Sequence, residues 1–172
     1  MNEQRAILFA ELLDEYVKDG YFVHQKAYES FCKAISVPNL EVGIVRRSPV
    51  NGKVEIFLAH RIDKLWKGWH IPGGKWLPPH TLEEGVGRII ETELGIMKIK
   101  VLAQSLYEKW MDHPSGEHPL SLLVICSPMT EVLESSTLKW FSQIPLGMIE
   151  DNGHHTCFIE SIFKQVEEQK LV

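Results

Sequence analysis

The run Trp69-His-Ile-Pro-Gly-Gly-Lys75, with the helix signals that follow it, constrains this chain more than any other feature. Pro72-Gly73-Gly74 ends an extended stretch, and its glycines let backbone groups approach a neighbour or a ligand without side-chain obstruction. Pro78-Pro79 then blocks helix, and Thr81-x-x-Glu84 is a capping-box pattern, with the hydroxyl taking an early backbone N–H while the glutamate reaches back. Leu82, Val86, Ile89 and Glu93 share one face at about 100° per residue, and Gly95 suits the left-handed position just past the helix end. Arg88 and Glu84 lie nearly opposite that stripe, so Arg88 is expected to orient the helix through Glu84 or Glu91. Gly85 and Gly87 inside the helix each cost about 1 kcal/mol relative to alanine, which predicts close packing against a neighbour at both.

The rest of the chain divides by periodicity. Ile7, Leu8, Leu12, Leu13 and Tyr16 stand at helical spacing over residues 3 to 18, Gly20 stops the run, and a second short helix is predicted over 24 to 34. From Leu40 the period becomes strand-like: Glu41-Val-Gly-Ile-Val-Arg46 and Val54-Glu-Ile-Phe-Leu-Ala-His60 flank Asn51-Gly52, a tight-hairpin signal. Further strands are expected at 98 to 107, 119 to 127 and 137 to 141, and a closing amphipathic helix at 154 to 170. The organisation expected is a helical extension over residues 1–38 and one mixed-sheet domain over 39–172, with the extension packed on the domain or on a second copy of the chain, which makes a homodimer a candidate assembly.

At 172 residues the chain is long enough for one substantial core, and no apolar run approaches the ~20 residues of a membrane span. The start, Met-Asn-Glu-Gln-Arg, lacks the basic-then-apolar order of a signal peptide, so a cytoplasmic protein without a membrane partner is expected. A net charge of -5 argues against a nucleic-acid partner but leaves room for a local basic pocket. Cys32, Cys126 and Cys157 are odd in number and far apart, which reads as reduced, mostly buried thiols rather than disulfides or a zinc site.

Laid on Gly74, the pattern G-x5-E-x7-R-E-U-x-E-E-x-G-U, with U aliphatic, brings Arg88, Glu93, Gly95 and Ile96 into register. The segment thus resembles a Nudix box in which His80, Ile89 and Thr92 replace three glutamates. The resemblance implies an α+β fold, a Nudix-type α/β/α sandwich around a mixed β-sheet. Arg88-Ile-Ile-Glu-Thr-Glu-Leu-Gly95, together with Ile56-Phe-Leu-Ala-His-Arg61 and Gly68-Trp-His-Ile-Pro-Gly-Gly74, is most similar to the GDP-mannose mannosyl hydrolase branch, whose box is also degenerate. That likeness implies Mg²⁺, with Mn²⁺ as the alternative ion, held by Glu93 and the Gly73 carbonyl, with Glu134 a candidate second ligand. It implies Arg61 on the diphosphate of a nucleoside diphosphate-linked small molecule, in binding and in catalysis, with Lys75 and Gly74 beside it, and Arg88 and Gly95 as structural members.

In that branch a Gln-His pair supplies the base; here the register places Glu134 at the glutamine and Ser135 at the histidine, and serine cannot accept a proton near neutral pH. Glu134, His113 and His118 are therefore the candidate bases, the histidines lying in a polar loop, 108 to 119. Among Trp66, Trp69, Trp76 and Trp110, Trp66 and Trp76 lie in loop-like stretches and are candidates for stacking on a base, whereas Trp69 and Trp140 read as core. His154-His155 open the last helix with no ligand partner at metal-site spacing. Three functions follow: a Mg²⁺-dependent hydrolase of a nucleotide sugar such as GDP-mannose, by water attack at the sugar C1; a catalytically inactive Nudix-fold nucleotide sensor; or a phosphorus-attacking nucleotide pyrophosphatase.

Overall fold

A computed structural model describes residues 3–19, 25–77, 80–95, 98–109, 119–149 and 153–172. Two helices lead, α1 (Glu3–Asp19) and α2 (Gln25–Ala34), followed by β1 (Pro38–Arg47), β2 (Val54–Ile62), β3 (Lys67–His70) and β4 (Gly73–Lys75). Helix α3 (Leu82–Leu94), strands β5 (Ile99–Lys109), β6 (Leu120–Pro128) and β7 (Leu138–Phe141), and helix α4 (His154–Gln169) complete the chain. Every element expected from periodicity is present within a few residues of its predicted ends.

The strands form one seven-stranded mixed sheet in the order β3-β2-β1-β6-β5, with β4 also paired to β1 and β7 to β2. The β1–β6 pair is parallel and the others are antiparallel. Because strand side chains alternate between faces, β1 sends Leu40, Val42 and Ile44 to one side, where they pack with Phe57, Val124 and the α3 residues Val86, Ile89 and Ile90. Val45, with Ile56, Leu58, Leu123 and Ile125, packs on the other side against Phe158, Ile159, Ile162 and Val166 of α4. This is the expected α/β/α sandwich. Helix α4 lies close on the sheet: a Cβ at Gly43 would collide with the end of the Ile162 side chain.

Two local expectations change. The β1–β2 connection turns through Pro49-Val-Asn-Gly52 rather than the two residues Asn51-Gly52: Ser48 and Lys53 still pair, and Gly52 N–H donates to the Ser48 carbonyl (2.9 Å) with φ of +70° at Gly52. Proline at 49 has no N–H and cannot continue the ladder, so the two strands separate before the Asn-Gly pair is reached. Helix α1 keeps Ile7, Leu8, Phe9 and Leu12 about half exposed, so the described residues of the chain do not cover this apolar face. No helix among the described residues is long and apolar enough to cross a membrane.

Candidate active site

The sheet opens where β1 changes partner, pairing with β2 over Ile44–Arg47 and with β4 over Asn39–Glu41. Val42 N–H donates to the Pro72 carbonyl and Trp76 N–H to the Pro38 carbonyl, both at 2.8 Å. Residues 72, 74 and 76 therefore face β1, and alternation turns the N–H and C=O of Gly73 away from it. The freed Gly73 N–H is turned to the side of Glu93, in the last turn of α3, and favours its carboxylate form. Helix α3 is held in register by local chemistry: Thr81 N–H donates to Glu84 (2.7 Å) and Glu84 N–H to the Thr81 hydroxyl (3.2 Å), closing the predicted capping box. At the other end Gly95 has φ +84° and ψ -172°, a positive-φ region reserved for glycine but more extended than the left-handed position expected.

Glu93 is thus neither a solvent residue nor a core residue. Its side chain is 24% exposed, on the apolar stripe but at its open end. Burial pushes its carboxyl above the ordinary range, against the opposing pull of the Gly73 N–H and of Arg61, His155 and Arg88. The anion is undercompensated by the protein alone. Arg61 stands exposed near the end of β2 and pairs with Asp63. Asp63 also accepts the N–H groups of Leu65 (2.8 Å) and Trp66 (2.9 Å), contacts that hold its carboxyl below the usual range and fix the loop carrying the arginine's partner. Lys75 is half-buried on β4, and Gly74 next to it has Ile89 and the Arg88 guanidinium against its α-carbon face.

Three residues that sequence reasoning left without a role converge here. His70, at the end of β3, is 6% exposed, and its Nδ1 lies 2.9 Å from the Ile71 carbonyl. Its Nε2 faces Glu93 Oε2 at 3.8 Å, and burial, then the neighbouring His155, push its pKa down to about 4. Glu41, on the α4 face of β1, has its carboxylate 3.9 Å from His155 Nε2 and accepts from the Ser121 hydroxyl (3.4 Å). The two imidazoles lie 6.0 Å apart edge to face. A carboxylate in the middle of an apolar strand, Leu-Glu-Val-Gly-Ile-Val, was the available signal for Glu41; nothing local marked its partner 114 positions later, at His155.

The remaining expectations fall as follows. Arg88 donates to the Lys75 carbonyl, not to Glu84 or Glu91, because Glu84 is already committed to the cap. This ties α3 to β4 beneath Gly74. Trp66 is 7% exposed against Ile149, and Trp76 packs over Gly85 with its indole N–H donated to the His80 carbonyl (3.0 Å). Trp66 is therefore buried and Trp76 half-buried. Trp140 sits in the core against Phe57, and Trp69 is half-buried between His60 and Phe141. Glu134 is exposed, with its carboxylate accepting the Trp140 N–H (2.8 Å), and Ser135 engages Thr137. His113, His118 and Trp110 lie outside the described residues. The His80 ring nitrogen Nδ1 is buried without a hydrogen bond, its backbone making the loop contacts instead. Among the described residues no group of three or more His, Cys, Asp or Glu side chains forms a ready-made metal cage.

Solved structures share this fold. A UDP-X diphosphatase superposes with a TM-score of 0.59 at 18% identity, over 97% of this chain and 82% of its own. The Ap4A hydrolase of C. elegans gives 0.52 at 18% identity, over 80% of this chain and 100% of its own. A bifunctional NMN adenylyltransferase/ADP ribose pyrophosphatase from Francisella tularensis, complexed with AMP and a Mn ion, gives 0.53 at 14% identity, over 84% of this chain and 48% of its own. At such identities the likeness speaks to fold alone. The family model described as NUDIX domain matches residues 38–142, the span holding β1, the Gly73 turn, α3 and Glu93, and the chain belongs to that family.

Proposed function

We propose that this protein is a divalent-metal-dependent hydrolase of a small nucleoside diphosphate-linked substrate, with a nucleotide sugar such as GDP-mannose the first choice and water attack at the sugar C1. The observation that carries the reading is the largely buried Glu93 side chain at the end of α3, on the side to which the β1–β4 pairing turns the free Gly73 backbone groups. The family and the names of the structural relatives, which act on UDP-X, Ap4A and ADP-ribose, share a nucleoside diphosphate core.

The donor set fits an ion bound through few protein ligands. Mg²⁺ keeps several waters and commonly uses one or two carboxylates with substrate phosphate oxygens, so Glu93 and the Gly73 carbonyl suffice although the described residues form no closed cage. When bound, the metal supplies charge neutralisation on the diphosphate. Arg61 and Lys75 supply more, and in this reading the diphosphate displaces Asp63 from Arg61. Attack on phosphorus calls for a metal-activated nucleophile, where several glutamates are useful; Ile89 at one of those positions is 2% exposed in the core. Attack on C1 asks less: the water oxygen bonds C1, the C1–O bond breaks, and the nucleoside diphosphate leaves with the electron pair, stabilised by the cations. The water proton goes to a base, for which Glu134, His113 and His118 are the candidates. Use of Glu134 requires release of the Trp140 N–H.

The same buried Ile89 favours a second reading, a nucleotide-binding module without turnover. Chromatography of products from a nucleotide-sugar panel, with and without Mg²⁺ or Mn²⁺, separates the readings. Metal-dependent release of free sugar and nucleoside diphosphate, abolished in Glu93→Gln, is the expected result. Nucleoside monophosphate plus sugar phosphate would place attack at phosphorus, and binding without turnover would establish the sensor.

A further inference from the structure

The contact between His70 and Glu93 has an unusual polarity. A carbonyl oxygen only accepts, so the 2.9 Å contact of His70 Nδ1 with the Ile71 carbonyl fixes the ring hydrogen on Nδ1. In the neutral ring Nε2 is then a lone pair, and at 3.8 Å it looks at Glu93 Oε2, another acceptor, with the side chains only 7% and 24% exposed. The separation is too long for a direct hydrogen bond, so neither group satisfies the other. A bridging water can satisfy both lone pairs but adds no charge to balance the partly buried carboxylate. A cation satisfies both lone pairs and the charge. The 3.8 Å gap is one that two donor atoms, each about 2.0–2.2 Å from a shared ion, can span.

We propose that His70 Nε2 and Glu93 Oε2 hold the divalent ion together, so that the site contains an imidazole nitrogen ligand and prefers first-row transition ions to Mg²⁺. The inference rests on the metal-dependent reading above and adds a ligand to it. Imidazole is a poor partner for the hard, strongly hydrated Mg²⁺ and a good one for softer ions, while an all-oxygen set has no such bias. The Ile71 carbonyl acts as the orienting partner that metal-bound histidines commonly have on their second nitrogen. His155 is the neighbour on the far side, at 6.0 Å between ring centroids, and with Glu41 it packs the position from the α4 face.

The test is pulsed electron paramagnetic resonance on the full chain with Mn²⁺ alone as the probe, with natural-abundance and ¹⁵N-histidine protein. Expected is bound Mn²⁺ with nitrogen coupling that changes on ¹⁵N labelling, a reading that needs no variant and so no assumption about folding. His70→Gln is expected to remove the coupling and weaken Mn²⁺ binding by about tenfold or more, while Mg²⁺ displaces Mn²⁺ more readily from it than from the parent. Mn²⁺ that binds in a Glu93-dependent manner without nitrogen coupling overturns the His70 assignment, gives the gap to water, and leaves the proposed function standing. Absence of any Glu93-dependent Mn²⁺ overturns both.

Discussion

Helix α3 contains a paired experiment in its two interior glycines. Each costs about 1 kcal/mol relative to alanine on propensity alone, yet their surroundings differ. A Cβ at Gly87 meets nothing within 4 Å and points to solvent, so Gly87→Ala recovers that 1 kcal/mol unopposed. A Cβ at Gly85 meets Leu40 Cδ1 at 2.8 Å, Trp76 Cδ1 at 3.1 Å and Trp76 Nε1 at 3.4 Å. Neither neighbour yields easily: Leu40 is fully buried in the central strand, and the Trp76 indole is pinned by its bond to the His80 carbonyl. Overpacking of this kind costs about 1–3 kcal/mol, so the net for Gly85→Ala is a loss of about 0–2 kcal/mol after the propensity gain. In urea melts at unchanged m-value, or as thermal midpoints, Gly87→Ala should rise by about 2–4 °C and Gly85→Ala should fall or stay level. If Gly85→Ala stabilises as much as Gly87→Ala, Leu40 and Trp76 give way freely, and close approach is not why position 85 is glycine.

Gly73→Ala places a Cβ into the Glu41 carboxylate and 3.0 Å from the Leu40 carbonyl, which should cost about 1–3 kcal/mol and lower metal-dependent turnover. Combined with Glu41→Ala the cost should be partly relieved, with a coupling of about 0.5–3 kcal/mol in a double-mutant cycle, and strict additivity would show that the two do not meet. Thr81→Ala should lose about 1 kcal/mol with the cap. The Glu84 carboxyl is held below its ordinary value first by the Thr81 N–H, so its contribution is full above the ordinary carboxylate range and is lost as pH falls through the lowered value. Glu84→Gln should therefore flatten only the acid limb of a stability-versus-pH curve, and a matching change in the alkaline limb would contradict the assignment. Among the thiols, Cys157 is exposed, Cys32 and Cys126 are buried, and burial pushes Cys126 up to about 12. A native-state thiol titration should find one fast group, lost in Cys157→Ser, and three groups after unfolding.

What was legible in the sequence was what short stretches decide. The start of α3 could be read because Thr81 and Glu84 satisfy each other within one turn, and the strands because alternation is a property of neighbours in sequence. The partner of Arg88 could not be read by the same means. Helical spacing offered Glu84 and Glu91, but the Lys75 carbonyl, 13 positions earlier, takes the guanidinium once β4 docks on β1. Glu41, His70 and His155 meet only because β1 shifts from one partner strand to another and α4 closes the opposite face, which no window of sequence contains. Trp66 and Trp76 stand in segments read correctly as connections, and the structure adds contacts that no spacing showed: Trp66 is buried, and the half-buried Trp76 donates to the His80 carbonyl.

The replaced glutamates bear on the chemistry through the same distinction between vacancy and reuse. Ile89 is 2% exposed within the cluster of Val42, Phe57, Val86 and Trp140, so it completes the seam between α3 and the sheet. Thr92 turns its hydroxyl back to the Arg88 carbonyl (2.8 Å), so it is engaged with its own helix rather than with the opening. Returning a glutamate to position 89 would bury a charge among apolar side chains, a cost of several kcal/mol unless an ion accompanies it. Positions 89 and 92 are therefore engaged within the helix itself, while Glu93 is presented to the opening beside Gly73. Under the proposed function, a site reduced in this way draws its remaining electrostatic stabilisation from the substrate side, from Arg61 and Lys75, and from His70. Those are the residues at which loss of function should concentrate, with positions 80, 89 and 92 acting through stability alone.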